Sequence, residues 1–504
     1  MSALPQDVKA GSGKVSSLES ESVGLTEVLF QSLTFISPGT SLALVLPFVV
    51  VFAGGALPLV VIFIFIGCFS TAWLLGEMAA KLPSSGGMLT FISNGLGSNV
   101  GFVAGWAYLM CLLADVAGIY LLLAGFVANQ LNASWHWNTT AVWVVVTIAL
   151  AGFVTFNGLR RANRGTRLGA ILGTIEVLVF AILAIWLIFA AGGRNTLQVF
   201  TTHFANAPGY HGFSGIIAAA VLTILAYQGF ESAVVLGEEA KHPRISVKSG
   251  MLISVAGILL YFVLATYASS VYFGPAKMTS GFATYGGGAP WDQLARDVWG
   301  VGWVIVFLAI VNSVTACANA CNITTTRTLF AMSRAGVLPD QLAAINRHKV
   351  PGPAQWLTTL VAFMAAIVTA AIWGPGVAAT FLLTITSGII IVLYIVASIT
   401  CVALYWQRYR ADFGWLRHGL PTLLVVVCFV PAFLATFGIK AFRFVTPLAW
   451  PETLIAPIVI AWVVIGIAVA VYLNRTRSRG VSGVRDLYAE AEPAGPVSSS
   501  TVNG

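Results

Sequence analysis

An all-α protein that crosses a membrane twelve times is the fold this sequence predicts, and three observations predict it. Of its 504 residues, 58% are hydrophobic and only 9% are charged, more apolar surface than a soluble domain has polar surface to cover. The uncharged runs are long: residues 28–76 lie between Glu27 and Glu77, and 350–407 between Lys349 and Arg408. At roughly 20 apolar residues per span, each run holds two helices. No stretch between the runs is long enough to build a soluble core of its own.

The spans follow in order. The first run gives about 25–51 and 56–80, parted by the turn FAGGALP at 52–58. Next come about 98–130, 141–158, 168–191, 213–238, 248–273 and 300–332. The second long run gives 354–373 and 377–405, parted by WGPG at 373–376, and the chain ends with 418–438 and 452–473. Orientation follows from Lys and Arg. With the N-terminus cytoplasmic, only Arg194, Lys277, Arg296, Lys440 and Arg443 fall outside, leaving 21 of the 26 basic residues inside. The inner clusters are Arg160, Arg161, Arg164 and Arg167; Lys241, Arg244 and Lys248; and Arg475, Arg477 and Arg479. The net charge of +8 is then matched to an anionic inner leaflet, with no nucleic-acid partner implied.

The remaining polar features carry little chemistry. Residues 1–24 form a polar cytoplasmic tail and no cleavable leader, so the first span is the insertion signal. Residues 480–504, rich in Ser, Gly, Glu and Pro, read as a disordered cytoplasmic tail. All six cysteines fall inside spans; Cys317 and Cys321 share a helix face but have no nearby His, so they read as packing residues, and no metal or cofactor is expected. Asn132 and Asn138 match the glycosylation pattern in an outer loop. Glu27, Glu77, Glu238 and Glu239, with Lys241 and Arg244 nearby, read as interface charges at the inner face.

Two stretches break the pattern. TFISPGTSLALVLP (34–47) places Ser-Pro-Gly-Thr-Ser inside the first span. Proline removes an amide donor and clashes with the preceding turn. Broken backbone is tolerated at membrane depth only in a protein-walled cavity, where half-helix ends face a ligand; a packed proline kink is the other reading. ILAYQGFESAVVLGEEAKHP (224–243) places Gly229 and Glu231 deep in the sixth span. Breaks in spans one and six predict two five-helix halves in inverted orientation, 25–191 and 213–405, with a site between their first helices and two further helices at 418–473.

Four stretches then resemble the amino acid–polyamine–organocation permeases over nearly the whole chain. They are the broken first helix ending in LALVLP, GEMAAKLPSSGGMLTFISNGLG (76–97), GFESAVVLGEEAKHPRISVKSG (229–250) and NACNITTTRTLFAMSRAGVLP (319–339). The resemblance implies a leucine-transporter-type five-plus-five inverted repeat with discontinuous helices 1 and 6, and alternating access. It also implies that break amides at Gly39, Thr40 and Ser41, with Ser37 at the start, hold a substrate carboxylate, which a half-helix N-terminus favours. Break carbonyls would hold the amine. In the second break, Tyr227, Gln228, Gly229 and Phe230 are the implied contacts, with Tyr227 or Phe230 as an aromatic lid or as ordinary packing. Glu231 is implied in gating or coupling.

Two further carboxylates are singled out by depth. Asp115 in MCLLADVAGIY lies midway along helix three. With no Lys or Arg in the membrane core, it needs a cationic ligand or stays protonated in a helix interface. The first reading makes it a contact for the substrate's amine or basic side chain. Glu176 in LGTIEVLVFAIL lies mid-helix five, where the resemblance implies a lysine in some proton-coupled members of the family. A carboxyl held away from water can load and release a proton, so proton coupling is expected, with a structural tie to helix one as the other reading. A sodium alternative would draw on Ser313, Thr315 and the helix-one break.

The expected function is secondary active uptake of an amino acid or related amine across the cell membrane, coupled to protons. Exchange of a cationic amino acid or polyamine is the second reading, favoured by Asp115. A membrane enzyme is disfavoured, because no His-Glu-x-x-His, Gly-x-Ser-x-Gly or phosphate loop occurs. No repeated filter loop suggests a channel.

Overall fold

Apolar runs fold as helices in a bilayer because a helix satisfies its own backbone, and the computed structural model of the chain is helical almost throughout. It describes residues 24–82, 84, 86–160, 166–236, 240, 243–443, 445–477 and 480–482. The N-terminal tail to residue 23, the C-terminal tail from 483, and Arg161, Arg164, Glu238, Glu239, Lys241 and Arg479 lie outside the described residues.

The chain begins with α1 (Leu25–Ile36), a short α2 (Pro38–Thr40), a π-helical turn at Ser41–Val45 and α3 (Leu46–Ala53). Then come α4 (Leu57–Lys81), α5 (Met88–Leu96), α6 (Ser98–Trp135), α7 (Thr139–Gly158) and α8 (Thr166–Ala191). A two-stranded antiparallel hairpin, β1 (Asn206–Ala207) and β2 (Tyr210–His211), precedes α9 (Phe213–Tyr227). The rest is α10 (Pro243–Phe273), α11 (Met278–Gly281), α12 (Tyr285–Gly288), α13 (Pro290–Trp299), α14 (Trp303–Arg334), α15 (Gly352–Trp373), α16 (Pro375–Arg408), α17 (Leu420–Thr436) and α18 (Ile455–Thr476). Among the described residues, eleven helical segments are long and apolar enough to cross a membrane. The first, Leu25–Lys81, is 57 residues long, enough to cross twice. It turns at Gly54–Ala56, where Gly54 has φ +55°.

Local chemistry sets several ends. Glu27, expected as an interface charge, caps α1: its carboxylate accepts the Gly24 N–H at 2.9 Å. The Asn138 side chain accepts the Ala141 N–H at 2.9 Å and starts α7. Two elements escape the span pattern. α5 is too short to cross, and α13 is too polar to read as an apolar run. α13 forms because Pro290 opens its first turn, Asp292 sits near its N-terminus, Arg296 near its C-terminus, and Gly300 ends it at φ +54°.

Burial orders the bundle. The apolar window of Phe213–Val235 is 83% buried and that of Ser98–Trp135 78%, against 22% for Glu452–Thr476. α9 and α6 are therefore central and α18 is peripheral. α4 packs on α10 and α17, α16 on α6, and α1 against α10, α14 and the 3₁₀ turns at Phe230–Leu236.

Candidate functional site

Ser37 is the joint of the first break. It adopts left-handed backbone (φ 49°, ψ 77°), a region that costs a non-glycine residue roughly 1–2 kcal/mol. Pro38 then starts a new helical turn, as proline does readily at N1. The new half-helix presents its amides to groups from two other helices. Glu176 of α8 accepts the Gly39 N–H on Oε1 at 2.8 Å, and the Ser313 hydroxyl of α14 donates to the same oxygen at 2.6 Å. Asn312 Nδ2 donates to Oε2 at 3.3 Å. Ser313 Oγ also accepts the Thr40 N–H at 2.9 Å and lies 2.7 Å from Ser37 Oγ. The Ser41 N–H returns to the Ser37 carbonyl at 3.0 Å.

The second break lies opposite. α9 ends at Tyr227, Gln228 is extended (φ −56°, ψ 144°), and Gly229 sits at φ +117° before the chain resumes as 3₁₀ turns. The two breaks touch: a Cβ on Gly229 would stand 2.4 Å from the Phe35 ring and 2.7 Å from the Ile36 amide nitrogen. Only glycine fits both the backbone angle and the gap. The Glu231 carboxylate accepts the Gly229 N–H at 2.9 Å and the Tyr394 hydroxyl of α16 at 2.8 Å through Oε2, while its Oε1 has no partner among the described residues.

Between the breaks lies a cavity of about 30 Å³, room for water and far below the size of a ligand pocket. Thr40 and Ser41 face it from the first break, Gln228 from the second, Asp115 from α6 and Cys317 from α14. The rest of its wall is apolar, including Ile119, Leu122, Leu225 and Leu383. Asp115 is 5% exposed, and among the described residues its carboxylate's hydrogen-bond partner is the Cys321 thiol, which donates to Oδ2 at 3.3 Å. Gln228 is 2% exposed; among the described residues its Oε1 has no partner and its Nε2 reaches only Cys111 Sγ, at 4.0 Å.

The expected site residues thus divide. Thr40, Ser41, Asp115 and Gln228 line the cavity. Ser37 and Gly39 face the Glu176–Ser313 cluster behind it. Tyr227, read as a lid or as ordinary packing, donates its hydroxyl to the Val61 carbonyl at 3.2 Å and packs on Phe262. Phe230 packs on Tyr394. Neither ring is on the cavity wall in this conformation, and Gly229 contributes close approach of the breaks. Ser313 is at the first break, but the Thr315 hydroxyl folds back onto the Val311 carbonyl of its own helix. Cys317, Cys321, Asn312 and Tyr394 were missed as neighbours of the site. Cys317 and Cys321 share a face with Ser313 at helical spacing, and extending that face from Ser313 would have found them.

A second polar cluster closes one end of the bundle. Glu77 of α4, 2% exposed, pairs with Lys248 of α10 at 2.5 Å and Arg417 at 2.9 Å, and accepts the Tyr405 hydroxyl at 3.3 Å. Lys81 pairs with Asp412 at 2.7 Å and holds that exposed carboxyl below its usual range.

Comparison with known proteins agrees with this architecture. The chain matches the family described as amino acid permease over residues 29–471. It is 27% identical over 310 residues to a branched-chain amino acid permease of Lactococcus lactis subsp. cremoris, covering 57% of this chain and 63% of that protein. It is 24% identical over 337 residues to a branched-chain amino acid permease of Bacillus subtilis, 63% of this chain and 68% of that protein. The lysine-specific permease of Escherichia coli is 25% identical over 297 residues, 57% of this chain and 59% of that protein.

Proposed function

We propose that this chain, which belongs to the amino acid permease family, is a secondary active transporter that takes up an amino acid or related amine by alternating access. Its family is one of membrane-spanning permeases and not of enzymes. The observation that carries the reading is the meeting of two interrupted helices, Gly229 against Phe35 and Ile36, beside a mid-bundle cavity. The cavity is too small for an amino acid, so loading requires its walls to part, which supports a cycle of open and closed states. We read twelve spans, the first segment counting as two, in a five-plus-five arrangement with two added helices. We read both termini as cytoplasmic, which the distribution of basic residues among the loops supports.

The aliphatic wall supports an aliphatic amino acid, in keeping with the branched-chain permeases among the relatives. Proton coupling is assigned to Glu176. Its carboxyl oxygens accept from Gly39, Ser313 and Asn312 at once, so a proton taken up there would replace an acceptor with a donor and loosen the hold on helix one. Exchange of a cationic amino acid or polyamine is the second reading, favoured by Asp115, which has no cationic partner among the described residues.

Reconstituted vesicles test both. Branched-chain amino acid uptake driven by an inward pH gradient, and indifferent to sodium, is expected. Uptake that follows sodium and ignores pH would overturn the coupling. Flux that requires preloaded substrate on the far side would establish the exchanger.

A further inference from the structure

We infer that the cavity recognises its ligand by an ammonium group, held by Asp115 and Gln228, and that a carboxylate on the ligand is dispensable, so an aliphatic primary amine is a ligand in its own right. The inference rests on reading the cavity as the substrate site.

Three observations carry it. First, Asp115 faces the cavity with one weak thiol donor, and no Lys, Arg or His stands on the cavity wall. A buried carboxylate without a cation is costly, and a ligand ammonium supplies the missing charge. Second, Gln228 brings an unpartnered carbonyl oxygen to the same wall. That is a second acceptor for an ammonium, which carries three donors and no acceptor. Third, the amides that a ligand carboxylate would need are engaged within the protein. Pro38 has none, Gly39 donates to Glu176, Thr40 to Ser313, and Ser41 to the Ser37 carbonyl. The Glu176 carboxyl therefore already fills the acceptor position at this half-helix N-terminus in the closed conformation. Ile119 and Leu122 continue the face of α6 that carries Asp115, and they fit an aliphatic body.

The test uses the purified full-length protein and three ligands that share one carbon frame. These are L-leucine, 3-methylbutylamine, which lacks the carboxylate, and 4-methylpentanoate, which lacks the amine. The amine is expected to raise thermal stability at concentrations within about tenfold of those leucine needs, a difference of about 1.4 kcal/mol, and the acid to have no effect. Asp115→Asn is expected to abolish the shift by the amine. Binding of leucine without binding of the amine would overturn the inference and leave the substrate site standing. No response to either ligand would remove the site as well.

A second measurement does not need the variant to fold. Cys317 lines the cavity beside Asp115, so a cationic methanethiosulfonate should label it faster than an anionic one on the unmodified protein. Mass spectrometry of the Cys317 peptide reads the ratio. Equal rates, or faster labelling by the anion, would overturn the inference.

Discussion

Each of the two breaks in the bundle ties a glycine amide to a glutamate, but the glutamates come from different places. At the first, Gly39 donates to Glu176 of α8, and Ser313 and Asn312 of α14 donate to the same carboxylate. At the second, Gly229 donates to Glu231, two residues along the same chain segment, and Tyr394 of α16 supplies the other bond. The first joint is thus held by remote helices through a group that can take up a proton. The second is capped from within. On the proposed coupling, a proton at Glu176 would change how three helices meet, whereas the helix-six joint is capped locally by the bond from Gly229 to Glu231.

The largest effect should come from adding a methyl group at each glycine. Gly229→Ala brings a Cβ to 2.4 Å from a ring carbon and 2.7 Å from a backbone nitrogen, at φ +117°. Neither the angle nor the backbone atom can give way cheaply. Gly39→Ala instead meets the Glu176 carboxylate at 2.6 Å and Ser313 Oγ at 3.0 Å, both ends of side chains. We expect Gly229→Ala to lose folding yield or at least about 3 kcal/mol of stability, the upper range for overpacking. Gly39→Ala should fold, melt somewhat lower and transport slowly. Thermal melts of the two purified variants read the difference, and equal losses would mean that the joints are equally rigid.

Glu176→Gln comes next in size. Glutamine keeps the shape and an acceptor for Gly39, but it cannot exchange a proton. The fold should survive with a small drop in melting temperature, while the pH dependence of uptake should largely vanish. Glu231→Gln should leave the pH dependence in place and act on rate alone. Uptake against external pH in vesicles separates them. A Glu231 variant that abolishes pH dependence while the Glu176 variant keeps it would reverse the assignment.

Much of this was legible in the sequence because it depends on composition and on residues that membranes rarely allow. The long uncharged runs mark the helices, and Pro38, Gly229, Asp115, Glu176 and Glu231 mark the middle of the bundle by being out of place there. What stayed hidden was direction. Spacing puts Gly39 in the break but does not say that its amide points to α8 and away from the cavity. Tyr227 and Phe230 flank the second break, yet the Tyr227 hydroxyl reaches Val61 and the Phe230 ring packs on Tyr394. α13 was invisible because its helix is fixed by end effects at Pro290, Asp292, Arg296 and Gly300, and no apolar period announces it.

The smallest expected effect belongs to Tyr394, and it tests whether the helix-six joint is self-sufficient. Tyr394→Phe removes the hydroxyl that donates to Glu231 at 2.8 Å, and leaves the ring packed on Phe230 and Phe429. Glu231 keeps its bond from Gly229, so the break keeps its cap. A hydrogen bond to a charged group contributes about 1.5–3 kcal/mol. If the carboxyl at Glu231 is neutral, the loss falls toward about 1 kcal/mol, the usual value for a neutral bond. The expected result is a folded protein with slightly lowered melting temperature, unchanged substrate affinity and an intact response to pH. Loss of the pH response in this variant would mean that α16 reports on the proton as well, and the contrast between a remotely held joint and a locally capped one would disappear.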